Sequence, residues 1–151
     1  MNYVIIGNSA AAVGCIEGIR QVDRQSPITV LSSENHHTYS RPLISYLLQG
    51  KTDEKRMLFR DADFYEKNNC ALRLGVTVEK IDPKAKQVIL AGGETVPYDK
   101  LLVAAGSRPF VPPMDGLEHI HYHTFMTLDS AKVLGKVLTK KSRVLIIGGG
   151  L

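Results

Sequence analysis

The sequence predicts an α/β fold, a parallel sheet with a small antiparallel β-meander added to it, and three observations carry that prediction. Residues 4–14, VIIGNSAAAVG, run from an apolar strand through a glycine turn into a helix. A second apolar run at 28–31 then closes a strand–helix–strand unit within about 30 residues, and such units build parallel sheets. From position 72 the pattern changes to short alternating runs divided by turn residues, which read as an antiparallel meander over 72–97.

Taken in order, residues 2–7 form a buried strand ending at Gly7. Ala12, Cys15, Ile16 and Ile19 recur at helical spacing, while Glu17, Arg20, Gln21 and Arg24 fall on the other faces. Ser26-Pro27 breaks that helix, because proline has no N–H to continue it. Residues 40–50 predict a short helix closed by Gly50, 51–60 a charged stretch, and 63–68 another helix. In the meander, Val76 and Val78 alternate with Thr77 and Glu79, Asp82-Pro83 turns the chain, Val88 and Leu90 alternate again, and Gly92-Gly93 makes the next turn. Residues 101–105 predict a strand ending at Gly106. Residues 107–117, with Pro109, Pro112 and Pro113, predict an extended connection. A helix over 128–138 and a strand over 143–147 follow, and the last residues, VLIIGGGL, echo the first glycine turn.

Composition narrows the function classes. With 44% apolar and 23% charged residues the chain can build a core. The net charge of +4 comes from 19 basic and 15 acidic residues that are scattered, so no basic stripe interleaved with aromatics points to nucleic acid. A mild positive charge suits an acidic electron-transfer partner. Cys15 and Cys70 form no metal-type spacing and read as buried thiols of a cytoplasmic protein. The N-terminus has no signal-peptide pattern, and no apolar run is long enough to span a bilayer.

A dinucleotide site needs helix N-terminal N–H groups facing a pyrophosphate, with small residues that let it approach. Gly7, Ser9 and Ala12 supply this as G-x-S-x-x-A, with Ser9 in place of the usual second glycine. The strand at 28–31 leads into Glu34, where a carboxylate can accept hydrogen bonds from ribose hydroxyls. His119, His121 and His123 would share one face of a strand, but no cysteine or carboxylate cluster completes a metal site, so an exposed connecting strand is expected there.

In this order, VIIGNSAAAVG, ITVLSSE, YSRPLISYLLQG, VPYDKLLVAAGSRPFVPPMDG and RVLIIGGGL resemble the N-terminal part of the FAD-dependent pyridine nucleotide–disulfide oxidoreductase superfamily, over nearly the whole chain. The YSRPLIS segment is similar to the branch of rubredoxin reductases and NADH-dependent nitrite reductase flavoproteins. The resemblance implies a Rossmann-like FAD-binding domain over 1–109, a linker over 110–125, and the start of an NAD(P)H-binding Rossmann domain over 126–151, where the chain stops. It implies that Gly7, Ser9, Ala10, Ala11 and Ala12 hold the FAD pyrophosphate and that Glu34 binds the adenosine ribose. Arg41 and Pro42 would lie beside the flavin, Val78 would approach the adenine, and Ala105 and Gly106 would pass near the cofactor. Gly148 and Gly150 would open the NAD motif.

Departures from the family pattern sharpen the chemistry. Neither the cysteine pair of the disulfide reductases nor the single cysteine of the NADH oxidase and peroxidase branch is present near position 41. Ala105 stands where relatives usually carry threonine, and Tyr46 where ferredoxin-reductase-like members often carry lysine. The expectation is an enzyme that passes electrons from NAD(P)H through FAD to an external acceptor: a rubredoxin-like protein, the partner centre of a nitrite reductase, or oxygen. The alternative is a non-catalytic Rossmann-like nucleotide-binding module, and a methyltransferase fits poorly because YSRP has no part in one. The isolated chain is expected to bind FAD weakly, to be catalytically incompetent, and to self-associate through the apolar edge at Ile146 and Ile147.

Overall fold

The computed structural model describes residues 1–148. Its centre is a four-stranded sheet made from β1 (Tyr3–Ile6), β2 (Ile28–Leu31), β3 (Cys70–Arg73) and β7 (Lys100–Val103), in the order β3-β2-β1-β7. Every pairing in it is parallel: Tyr3 lies opposite both Ile28 and Lys100, and Ile28 lies opposite Cys70. Helix α1 (Ala10–Val22) makes the first crossover and covers one face. Its buried residues Ala12, Val13 and Ile16 pack with Ile5, Ile28 and Val30, and Phe64 and Tyr65 of the short helix α3 (Phe64–Lys67) complete that cluster. Full burial of a Val or Ile side chain stabilises by about 2 kcal/mol, so this face holds much of the domain's stability.

In the last turn of α1, Arg20 works as a staple. Its guanidinium donates to the carbonyls of Asn68, Asp23, Ser26 and Asn69 at 2.7, 2.8, 2.9 and 3.3 Å, tying α1 to the turns before β2 and β3. Asp23 accepts the amides of Gln25 and Ser26, and hydrogen bonds from Ser26 hold its carboxyl well below the ordinary range.

The opposite face is covered by a three-stranded antiparallel sheet of β4 (Val78–Asp82), β5 (Gln87–Leu90) and β6 (Thr95–Pro97). Val88 and Leu90 meet Val4 and Leu31 in a second buried cluster. The meander therefore begins at Val78, not at 72. Residues 70–73 join the parallel sheet because α3 acts as a crossover and delivers them alongside β2 in the same direction.

A third cluster joins distant parts of the chain. A 3-10 turn (Arg41–Leu43) runs directly into α2 (Ile44–Leu48), and α4 (Leu128–Val137) packs on both. Tyr39, Ile44, Met57, Leu128 and Ala131 are its buried members. Thr127 and Ser130 cap α4 reciprocally, the Ser130 amide donating to Thr127 Oγ1 at 3.1 Å and the Thr127 amide to Ser130 Oγ at 2.9 Å. Lys132 adds an ion pair to Glu54 at 2.9 Å.

Two further expectations are corrected. Residues 143–147 form no strand; Val144, Leu145, Ile146 and Ile147 are exposed, and no segment among the described residues lies beside them to complete a ladder. The His119–His123 segment is not a strand either: a 3-10 turn (Leu117–His119) begins it, and all three histidines are exposed.

Candidate functional site

The C-terminal ends of parallel strands in an open α/β sheet form the crevice where ligands bind. Here β1 leads to Gly7, β2 to Glu34, and β7 to Ala105 and Gly106. Their loops are pinned together: the Gly7 amide donates to the Leu31 carbonyl at 2.8 Å and the Ala104 amide to the Ile6 carbonyl at 2.7 Å. Gly7 has φ +110°, and a Cβ built on it would lie 2.1 Å from the Ala104 carbonyl oxygen. Only glycine lets β1 turn this close to β7.

The turn opens directly into α1. Ser9 is the N-cap residue in an extended conformation, but its side chain makes no capping hydrogen bond. The first amide of the helical ladder is that of Val13, which donates to the Ser9 carbonyl at 3.0 Å. The amides of Ala10, Ala11 and Ala12 precede it; Ala10 and Ala11 are exposed, and none of the three side chains is larger than a methyl group. Those unused donors and the positive end of the helix dipole suit a diphosphate.

Glu34 stands at the tip of the neighbouring strand. Tyr39 donates its hydroxyl to Glu34 Oε2 at 2.6 Å, and Arg41 Nη2 reaches Oε1 at 2.7 Å. The Gly75 amide contacts the Glu34 carbonyl at 3.4 Å and the Val76 amide the Ser32 carbonyl at 2.8 Å, so the segment entering Val78 runs beside Glu34. The Arg41 guanidinium sits on Glu34 and on the Met126 carbonyl, the latter at 3.0 Å. Arg41 and Pro42 both line an open groove of about 390 Å³ with Ile44, Ser45, Phe125 and Met126. Gly148 has φ +100°, and Gly150 lies outside the described residues.

Three residues not singled out from the sequence join the site. Asn8, inside the glycine turn, donates to the His36 carbonyl at 3.2 Å and accepts the hydroxyl of Tyr65. Tyr39 holds Glu34 as described. The tyrosine of YSRP was the available signal for Tyr39, whereas nothing local marks Tyr65.

Burial pushes the Tyr39 and Tyr65 hydroxyls up to about 12. In the unfolded chain both titrate near 10, so the folded state keeps protons that the unfolded state loses. Stability is therefore expected to be intact below about pH 10 and to fall as pH rises toward 12, by about 2–3 kcal/mol per ring. Urea unfolding at pH 9 and pH 11.5 checks this: the Tyr39→Phe, Tyr65→Phe double variant should lose much less between the two pH values than the parent does. Burial also raises both thiols, that of Cys70 to about 11, so neither cysteine is a ready nucleophile. Among the described residues no three His, Cys, Asp or Glu side chains come together as a metal site, and no helix is long and apolar enough to cross a membrane.

Comparison with known proteins agrees with this architecture. The epsilon subunit of the NADH-dependent phenylglyoxylate dehydrogenase of Aromatoleum evansii is 35% identical over 149 residues, covering 99% of this chain and 35% of that protein. The nitrite reductase [NAD(P)H] of Bacillus subtilis (strain 168) is 36% identical over 149 residues, covering 98% of this chain and 18% of that protein. The crystal structure of the covalent putidaredoxin reductase–putidaredoxin complex superposes with a TM-score of 0.78 at 28% identity, over 89% of this chain and 33% of the other. The chain thus spans about a third or less of these relatives' length. The family model for pyridine nucleotide-disulphide oxidoreductases, proteins that bind FAD and use NAD(P)H, matches residues 1–151. With its whole length matched and its sheet and glycine turn built as described, the chain belongs to the pyridine nucleotide-disulphide oxidoreductase family.

Proposed function

We propose that this chain is the FAD-binding portion of an NAD(P)H-dependent flavoprotein oxidoreductase that delivers electrons to an external acceptor. One observation carries the reading: the uncapped first amides of α1, the glycine turn and Glu34 meet at the carboxyl ends of adjacent parallel strands. In this proposal Gly7, Ser9 and Ala10 to Ala12 hold the pyrophosphate, and Glu34 accepts from the adenosine ribose. Val78 borders the adenine, while Ala105 and Gly106 flank the cofactor. Arg41 and Pro42, which line one groove, lie on the flavin side, and Arg41 also orients Glu34. FAD, when bound, supplies the redox chemistry, and the protein supplies position and field.

The two cysteines, both raised by burial, favour transfer to an outside acceptor over a thiol relay. A small electron-transfer protein is the acceptor class we favour, since putidaredoxin reductase, a structural relative, is seen in complex with putidaredoxin. Residues 1–109 would belong to the FAD unit, 110–125 to a linker, and 126–151, with Gly148 and Gly150, to the start of an NAD(P)H unit. Free thiols suit a reducing compartment such as the cytoplasm. The exposed run Val144 to Ile147 would favour self-association of the isolated chain.

The 151-residue chain alone is expected to bind FAD weakly and to leave NADH unoxidised. Fluorescence titration with FAD and with NADH tests the assignment. Measurable FAD binding that is lost in Glu34→Gln supports the flavoprotein reading. Tight NADH binding with no response to FAD would favour a plain nucleotide-binding module.

A further inference from the structure

The side chains of Tyr39 and Arg41 each make two hydrogen bonds, and the second of each lies at the start of α4. The Tyr39 hydroxyl donates to Glu34 Oε2 at 2.6 Å and accepts the Leu128 amide at 2.9 Å. Arg41 gives one guanidinium nitrogen to Glu34 Oε1 at 2.7 Å and the other to the Met126 carbonyl at 3.0 Å. Both carboxylate oxygens of Glu34 are thereby tied, through one side chain each, to the backbone that begins α4. The arrangement spans most of the chain's length, and local chain geometry cannot account for it.

Glu34 is still open to a ligand. Each oxygen of an ionised carboxylate has two acceptor sites, so one remains on each side after Tyr39 and Arg41 are served. Its side chain keeps 23% of its surface exposed. Tyr39, 8% exposed, remains a donor throughout the physiological range, because burial and its bond to Glu34 raise its hydroxyl.

We propose that Tyr39 and Arg41 are positioning residues that couple ribose recognition by Glu34 to the docking of α4. This rests on the reading of Glu34 as the ribose acid. Two donors, one on each oxygen, fix the orientation of the carboxylate and with it that of its remaining lone pairs. Ribose hydroxyls that take up those lone pairs draw on the same charge that holds Tyr39 and Arg41, and the strain or relief passes to Leu128 and Met126. Coupling of this kind is reciprocal: a docked α4 improves the ribose site by the same factor by which the ribose affects docking. Two contacts independent of Glu34, His36 to Asp129 at 2.7 Å and Lys132 to Glu54 at 2.9 Å, keep α4 in place when Tyr39 is altered.

The test is amide NMR of the 151-residue chain, titrated with ADP and separately with 2′,3′-dideoxy-ADP, which lacks both hydroxyls. ADP is expected to shift the amides of Ala10 to Ala12 and that of Leu128. The dideoxy compound should shift only the first group and bind roughly tenfold more weakly. Tyr39→Phe should weaken ADP roughly tenfold while leaving the dideoxy compound unchanged. Equal weakening of both nucleotides would reduce Tyr39 to a packing role and overturn the proposal. Shifts at Ala10 to Ala12 with none at Leu128 would overturn the coupling and leave the nucleotide site standing. No shift at Ala10 to Ala12 would overturn both. Should Tyr39→Phe fail to fold, the two nucleotides compared on the unaltered chain still decide.

Discussion

Gly7→Ala is expected to lose on the order of 4 kcal/mol of stability and all nucleotide binding. Two costs act at once. The φ of +110° is one that a residue with a Cβ rarely adopts, and the Cβ would be driven to 2.1 Å from the Ala104 carbonyl oxygen, a backbone atom just past β7. Relief requires β1 and β7 to separate, which breaks the Ala104–Ile6 hydrogen bond and the crevice with it. Gly14 and Gly18 provide the control. They lie inside α1, with nothing within 4 Å of a built Cβ. Alanine there should stabilise by about 0.5–1 kcal/mol each, by reducing the entropy of the unfolded chain. Urea unfolding of the three variants should split them in sign. A Gly7→Ala protein as stable as the parent would mean that β1 and β7 do not meet as described.

Arg20→Ala should cost about 2–4 kcal/mol, large for a residue on a helix's outer side. Its fork serves four carbonyls from two separate turns, and removal leaves them to find water in a partly closed space. Arg20→Lys should recover only a part, because one ammonium cannot copy a planar fork reaching both turns. Thermal unfolding of both variants measures the difference; equal stability for Lys and Arg would show that charge, not geometry, holds this corner.

What the sequence made legible follows the range of the forces involved. The β1–α1–β2 unit is written in neighbouring residues: an apolar run, a glycine, a helical stripe and a proline stop. Residues 72 and 73 read as the start of the meander because a short strand looks alike in a parallel sheet and in a meander. What decides is the crossover made by α3, a helix of one turn with no periodicity to read. The run at 143–147 has a strand's composition, but a strand is a property of two segments, and its second is not among the described residues. The site divides in the same way. Gly7 and Glu34 announce themselves within short motifs. Asn8 and Tyr65 gain their place only when the fold brings positions 8 and 65 together, and the Arg41 guanidinium meets Glu34 and Met126 through packing that YSRP alone does not encode.

The docking of α4 also changes the nature of the proline-bearing connection before it. That segment is anchored at one end by Ala104 on Ile6 and at the other by Leu128 on Tyr39. A chain clamped at both ends has already surrendered its closure entropy, and prolines at 109, 112 and 113 remove much of the slack that remains. It is held at both ends, not at one. The brace ends with α4: from Thr139 on, residues 139–148 are exposed throughout.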